Sequence, residues 1–312
     1  MTGRQLGGVF GVLALLLAAW FFVRGRDGGD PADGLDLGAM VGGDVTYVLI
    51  APPEAEPIEL ERRSTGWTVN GYPALDSLVD ATLARLDTLP AGRLIARNPA
   101  SHERMGLTED AAVRVRVGPA GEPEADFLVG DAGIDGRFVR LPDTDPAYVF
   151  PGAAIDPLAA PERSWRDFTV IRADTSALRR IVIRQDGEIA AELSRADADG
   201  PGWSVEGPAV DGAAADTAVM RVYLETLADL QATGFPADSF VFAADFENPI
   251  AVVELYDTDE DDVAGPDAAL LFSTGLDHPD VLVRRADDPI VYAIERPVAN
   301  LLTASAARLL GR

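Results

Sequence analysis

Cysteine is absent from this 312-residue chain, and so is lysine. Without a thiol there is no disulfide, no thiolate nucleophile, no cysteine-ligated metal and no lipid-modified cysteine, so any fold must hold by its packed core alone. Without lysine there is no P-loop, and no Gly-x-Gly-x-x-Gly follows a strand-like run, so no nucleotide is expected to bind. Histidine is scarce: His102 and His278 are the only two. Gly-x-Ser-x-Gly is also missing, which removes the usual serine hydrolase set. Both histidines lie in polar, loop-like sequence and are expected in surface or turn roles. Positive charge is short as well, with 26 basic residues, all arginine, against 51 acidic ones, for a formal net charge of -25. A surface of that sign repels phosphate backbones, so no nucleic acid is expected as a partner. The charge is expected to keep the protein soluble, in a salty medium.

The amino end carries an uncharged run of 18 residues, Leu6 to Val23. As a helix it would measure about 27 Å, close to the thickness of a bilayer's hydrocarbon layer. Arg4 precedes it, Trp20 to Phe22 give an aromatic end, and Arg24 and Arg26 follow. Ala18 and Ala19 are followed by Trp20 and Phe21, so the small-x-small site of a cleaved signal peptide is missing. The expectation is a single-pass signal anchor in the inner (cytoplasmic) membrane, with the lipid bilayer as partner. Flanking charge is balanced, but a short amino tail before a long carboxyl-terminal body places that body on the extracytoplasmic side. The chain is accordingly divided into a tail (1–5), a transmembrane anchor (6–23), a flexible acidic and Gly-rich linker (24–44), and two repeats (45–168 and 169–312).

Those repeats rest on a recurring pattern. Leu75, Leu78, Val79, Thr82, Leu83 and Leu86 are matched by Val219, Val222, Tyr223, Thr226, Leu227 and Leu230, an offset of 144 (219 minus 75). The same offset relates Val139-Arg140 to Val283-Arg284, Tyr148 to Tyr292 and Leu158 to Leu302. Gly66-Trp67 and Gly202-Trp203 are 136 apart (203 minus 67), which places about eight additional residues in the 207–215 loop of the second copy. In each copy short alternating runs precede an amphipathic helix and further strands follow it. Asp76 or Ser77 is expected to cap the first helix and Pro90 to stop it. Pro297 opens a last helix in which Val298, Leu301, Leu302, Ser305 and Leu309 share a face. The fold class expected is α+β: an N-terminal transmembrane helix followed by two tandem, duplicated β-meander/helix/β-meander lobes with mostly antiparallel sheets.

Chemistry-bearing clusters are few. Asp257, Asp259 and Asp261 have the alternate spacing of a calcium loop, but Asp262 stands where an EF-hand needs glycine and Ala268 where it needs glutamate. They are weak metal candidates, and a solvated acidic hairpin explains them better. Asp277-His278-Pro279-Asp280 reads as a turn. Trp67 and Trp203 precede the two helices at matching places and are expected to cover the sheet. Arg166 and Asp167, after Trp165, are placed to pair across the seam between the copies. No catalytic, cofactor-binding or metal residue is assigned.

The apolar span, the strand pair with Gly66-Trp67, the leucine-rich helix, Arg97 before Gly106-Leu107, Val129-Gly130-Asp131, Phe138-Val139-Arg140 and Trp165-Arg166-Asp167-Phe168 together resemble the domain of unknown function 4340 family, most clearly over Val45 to Phe168. Proteins that look like this are often found with ABC-type transport systems of the cell envelope, including gliding-type ones. The resemblance therefore implies ABC-type transporter subunits as partners and supplies no catalytic residues. The function expected is a non-catalytic, membrane-anchored envelope module, an accessory or binding component of such an assembly. A carboxylate-dependent envelope hydrolase and a structural spacer are the alternatives.

Overall fold

Period-two alternation in the sequence becomes sheet almost throughout. The computed structural model describes residues 34–195, 202–257, 265–274 and 278–311. They divide into two compact units on either side of the Asp167–Phe168 bond. The first unit holds β1 (Gly34–Leu35), β2 (Tyr47–Ala51), β3 (Ile58–Arg63), β4 (Gly66–Val69), β5 (Tyr72–Pro73), β6 (Gly92–Ala96), β7 (Val113–Gly118), β8 (Ala125–Gly133), β9 (Gly136–Arg140) and β10 (Ala147–Phe150). They form one sheet in the order β1-β6-β10-β9-β8-β7-β2-β3-β4-β5. In the second unit β11 (Thr169–Ile171) pairs with β16 (Leu230–Gln231). Its main sheet takes β12 (Arg180–Gln185), β13 (Glu188–Arg195), β14 (Trp203–Gly207), β15 (Val210–Ala214), β17 (Ala251–Tyr256), β18 (Ala268–Ser273), β19 (Val281–Arg285) and β20 (Tyr292–Ile294). Their order is β15-β14-β13-β12-β17-β18-β19-β20.

The two main sheets share one plan, since β5-β4-β3-β2-β7-β8-β9-β10 matches the second order strand for strand. A twelve-residue helix interrupts each plan at the same point, Asp76–Asp87 in one unit and Thr217–Ala228 in the other. Val48, Ile50, Ile58, Leu60, Val69, Val115, Val117 and Phe127 point to one face of the first sheet, where they bury Val79 and Leu86 of its helix. Each such side chain contributes about 1.5–3 kcal/mol when fully withdrawn from water. In the second unit Ile181, Ile183, Leu193, Val205, Val253 and Leu255 do the same against Met220, Tyr223 and Leu227.

The buried helix residues correct the expected register. Val79, Thr82 and Leu86 correspond to Met220, Tyr223 and Leu227, an offset of 141 (220 minus 79). A slip of three residues is nearly one turn of helix, so the apolar stripe looks alike at 144. From β9 and β19 onward the offset of 144 does relate matching strands: Val139 pairs with Tyr148 as Val283 pairs with Tyr292.

Behind each sheet the segment after the helix crosses the opposite face. In the first unit it buries Leu107 and His102 beside Leu128 and Arg140. In the second, Phe240, Val241, Ala244 and Phe246 cover Leu282, Val291 and Ala293.

Several expectations are corrected. The described residues form three antiparallel sheets with few helices, rather than α+β lobes behind a membrane helix. None of the described helices is long and apolar enough to cross a membrane; a twelve-residue helix reaches only about 18 Å. The expected span 6–23 lies outside the described residues. The expected linker 24–44 is folded from residue 34 onward, because Leu35, Leu37 and Val41 are buried and Asp36 caps the Leu37–Val41 helix through the Ala39 amide at 2.9 Å. Neither Asp76 nor Ser77 caps the Asp76–Asp87 helix: its N-cap is Leu75, and Asp76 accepts from the Trp67 amide at 2.7 Å. The last helix breaks after Leu302 and resumes at Ala306.

Candidate binding groove

Trp67 stands at the start of β4, where one side of its ring closes the core and its edge reaches the helix. The residue is only 3% exposed. Its indole Nε1 donates to Asp80 Oδ1 at 2.9 Å, so a buried donor is satisfied by a charged acceptor. Arg62 is the cross-strand neighbour of Trp67. Its guanidinium lies 5.4 Å from the ring centroid, within cation–π range, and its Nη1 donates to the same Asp80 oxygen at 3.2 Å. Both partners of that ion pair are half-exposed, so the pair positions Arg62 more than it stabilises the fold, contributing about 0–1 kcal/mol.

Next to this cluster is a cavity of about 580 Å³. Its walls are the segment from Val41 to Thr46, the pair Arg62 and Trp67, and one face of the helix with Leu83, Ala84 and Asp87. Val41, Val45, Trp67 and Leu83 supply an apolar floor, with Asp44, Asp87, Arg62 and Thr46 as polar groups around it. A mainly apolar hollow with a few placed polar groups is the usual composition of a recognition site. Leu37 and Val41 pin the Leu37–Val41 helix in place, and Gly38 lets it approach: a Cβ there would lie 2.7 Å from the Asp87 carbonyl oxygen. Only glycine permits so close a crossing.

Apart from Trp67, the residues weighed for chemistry in the sequence fall elsewhere. Of the weak metal candidates, Asp259 and Asp261 lie outside the described residues. Asp257 follows β17, its amide donates to Asp267 Oδ2 at 2.8 Å, and the hydrogen bond and negative charge of Asp267 push its carboxyl's pKa upward from its ordinary value. Among the described residues no three His, Asp or Glu side chains are grouped to hold a metal ion. His102 is buried rather than on the surface, its Nε2 2.8 Å from the Asp145 carbonyl oxygen. His278 sits in a turn, where its Nδ1 accepts from the Asp280 amide at 3.1 Å and its ring meets Phe240 edge-on. Arg166 pairs with Glu162 at 2.6 Å and stacks on Tyr72, all within the first unit. Trp203 is buried like Trp67, with Arg195 over its ring.

Sequence reasoning missed the groove. Nothing in one dimension brings Asp80 to Arg62 and Trp67. Gly42-Gly43 read as slack chain, although that segment forms a wall.

The chain belongs to the family described as Domain of unknown function (DUF4340), which matches residues 67–249. Comparison with curated proteins and with solved structures gave no match.

Proposed function

We propose that the chain is a non-catalytic binding module, an accessory component of an ABC-type transport assembly on the extracytoplasmic side of the inner membrane. The observation that carries this reading is the groove beside Trp67. Its apolar floor and its arginine, carboxylates and hydroxyl suit recognition, and Arg62, the one cation among the described residues of its wall, is already committed to Asp80. The link to transport comes from the family resemblance. Co-purification of the tagged full-length chain in mild detergent tests it: recovery with an ATPase or permease subunit is the expected result, and recovery of free monomer alone would count against it.

A further inference from the structure

In the second unit the arginine beside the sheet tryptophan turns inward. Arg195 faces Trp203 across β13 and β14, as Arg62 faces Trp67 across β3 and β4. Its Nη1 donates to the carbonyl oxygens of Ser176 at 2.7 Å and Leu178 at 3.3 Å. Those carbonyls belong to a turn that Asp174 caps through the Ala177 amide, the counterpart of Asp36 capping through Ala39. The second unit therefore sets its own cationic side chain between its capped turn and its tryptophan.

The first unit leaves that space open for two reasons. At the helix offset of 141, Asp80 corresponds to Arg221, which pairs with Glu225 and gives Arg195 no acceptor. Asp80 does accept, and draws Arg62 away toward the helix. The chain is also longer here: Asp36 and the start of β2 are 11 positions apart (47 minus 36), whereas Asp174 and the start of β12 are 6 apart (180 minus 174). The extra residues supply Asp44 and Val45 to the wall.

We infer that the open groove takes an arginine or lysine side chain from a basic segment of a partner protein, its aliphatic stem on Val45 and Leu83 and its charge met by Asp44 and Asp87. This rests on the binding-module reading above and gives the partner a chemistry. Arg195 shows that the same fold accommodates a cationic side chain at this place. A long cationic side chain buries its stem while its head keeps polar partners. The net charge of -25 attracts a basic segment to the surface, and the carboxylates on the wall disfavour an anionic one.

The test uses the full-length chain and two short dye-labelled amphipathic peptides, one of leucine and arginine and one of leucine and glutamate. Fluorescence anisotropy is read at about 0.15 M salt, where long-range attraction is screened. The arginine peptide is expected to bind and the glutamate peptide to fail. Ala84→Trp, at an exposed helix position on the groove wall, should weaken binding about tenfold or more while leaving the charge unchanged. The double variant Asp44→Asn with Asp87→Asn should weaken it as well, whereas Glu188→Gln with Asp211→Asn on the second unit should not. Equal binding by the Ala84→Trp protein, with unchanged circular dichroism, would overturn the inference and leave only diffuse attraction to an acidic surface. So would equal loss from both charge pairs, or no binding of the arginine peptide. These outcomes are separate from the co-purification result, which concerns transporter subunits rather than the groove.

Discussion

Asp80 makes more of the first unit's local structure than its position on an exposed helix face suggests. One of its oxygens accepts from both the Trp67 indole and Arg62. Asp80→Ala would strand the indole donor of a tryptophan that is almost wholly buried, at a cost of about 1–3 kcal/mol. Urea unfolding should show a lower midpoint with an unchanged slope, and Asp80→Asn, which keeps an acceptor, should recover most of the loss. The core role of Trp67 was legible from its size and position, whereas the partner of Asp80 was not. His102, expected in a surface or turn role, does lie in a turn, yet its side chain is buried with the Asp145 carbonyl as partner, since a satisfied polar group can be buried.

At the scale of elements, the longer strands were legible because alternation has a period of two and one face of each sheet is dry, whereas 207–215, expected as a loop, holds β15. The Leu37–Val41 helix was not. Five residues among glycines and aspartates carry little propensity, and the helix exists because Leu37 and Val41 find the Asp76–Asp87 helix. Gly38 is the contact point of the two. Gly38→Val would force side-chain atoms against the Asp87 and Leu86 carbonyl oxygens and push the shorter helix away, costing about 1–3 kcal/mol as overpacking does. Amide hydrogen exchange should then rise across residues 34–46 while the β12–β15 meander keeps its protection. Unchanged protection of residues 34–46 would mean that the crossing tolerates a side chain.

For the whole molecule, the charge of -25 is spread over a chain whose cations, among the described residues, are mostly engaged, as in the pair of Arg114 with Asp126 at 2.7 Å. The uncompensated carboxylates repel one another most in the compact state. Raising sodium chloride from about 0.1 to 1 M shortens the screening length from roughly 10 to 3 Å. The melting temperature should therefore climb, by roughly 5 °C for a gain of about 1–2 kcal/mol in units of this size. A falling melting curve would show that the ion pairs, weakened by the same salt, outweigh the repulsion.

The sequence by itself determined the longer alternating strands, the recurrence of one pattern around a tryptophan, and the acidic surface. These follow from periodicity and composition, which survive without knowledge of neighbours. Tertiary structure alone decided the helix register, the folding of residues 34–44 and the groove that lies beside Trp67, at the place where the second copy sets Arg195. Each depends on which groups meet across the fold, and a charge at position 80 or 221 acquires its consequence only when the helix is laid against the sheet.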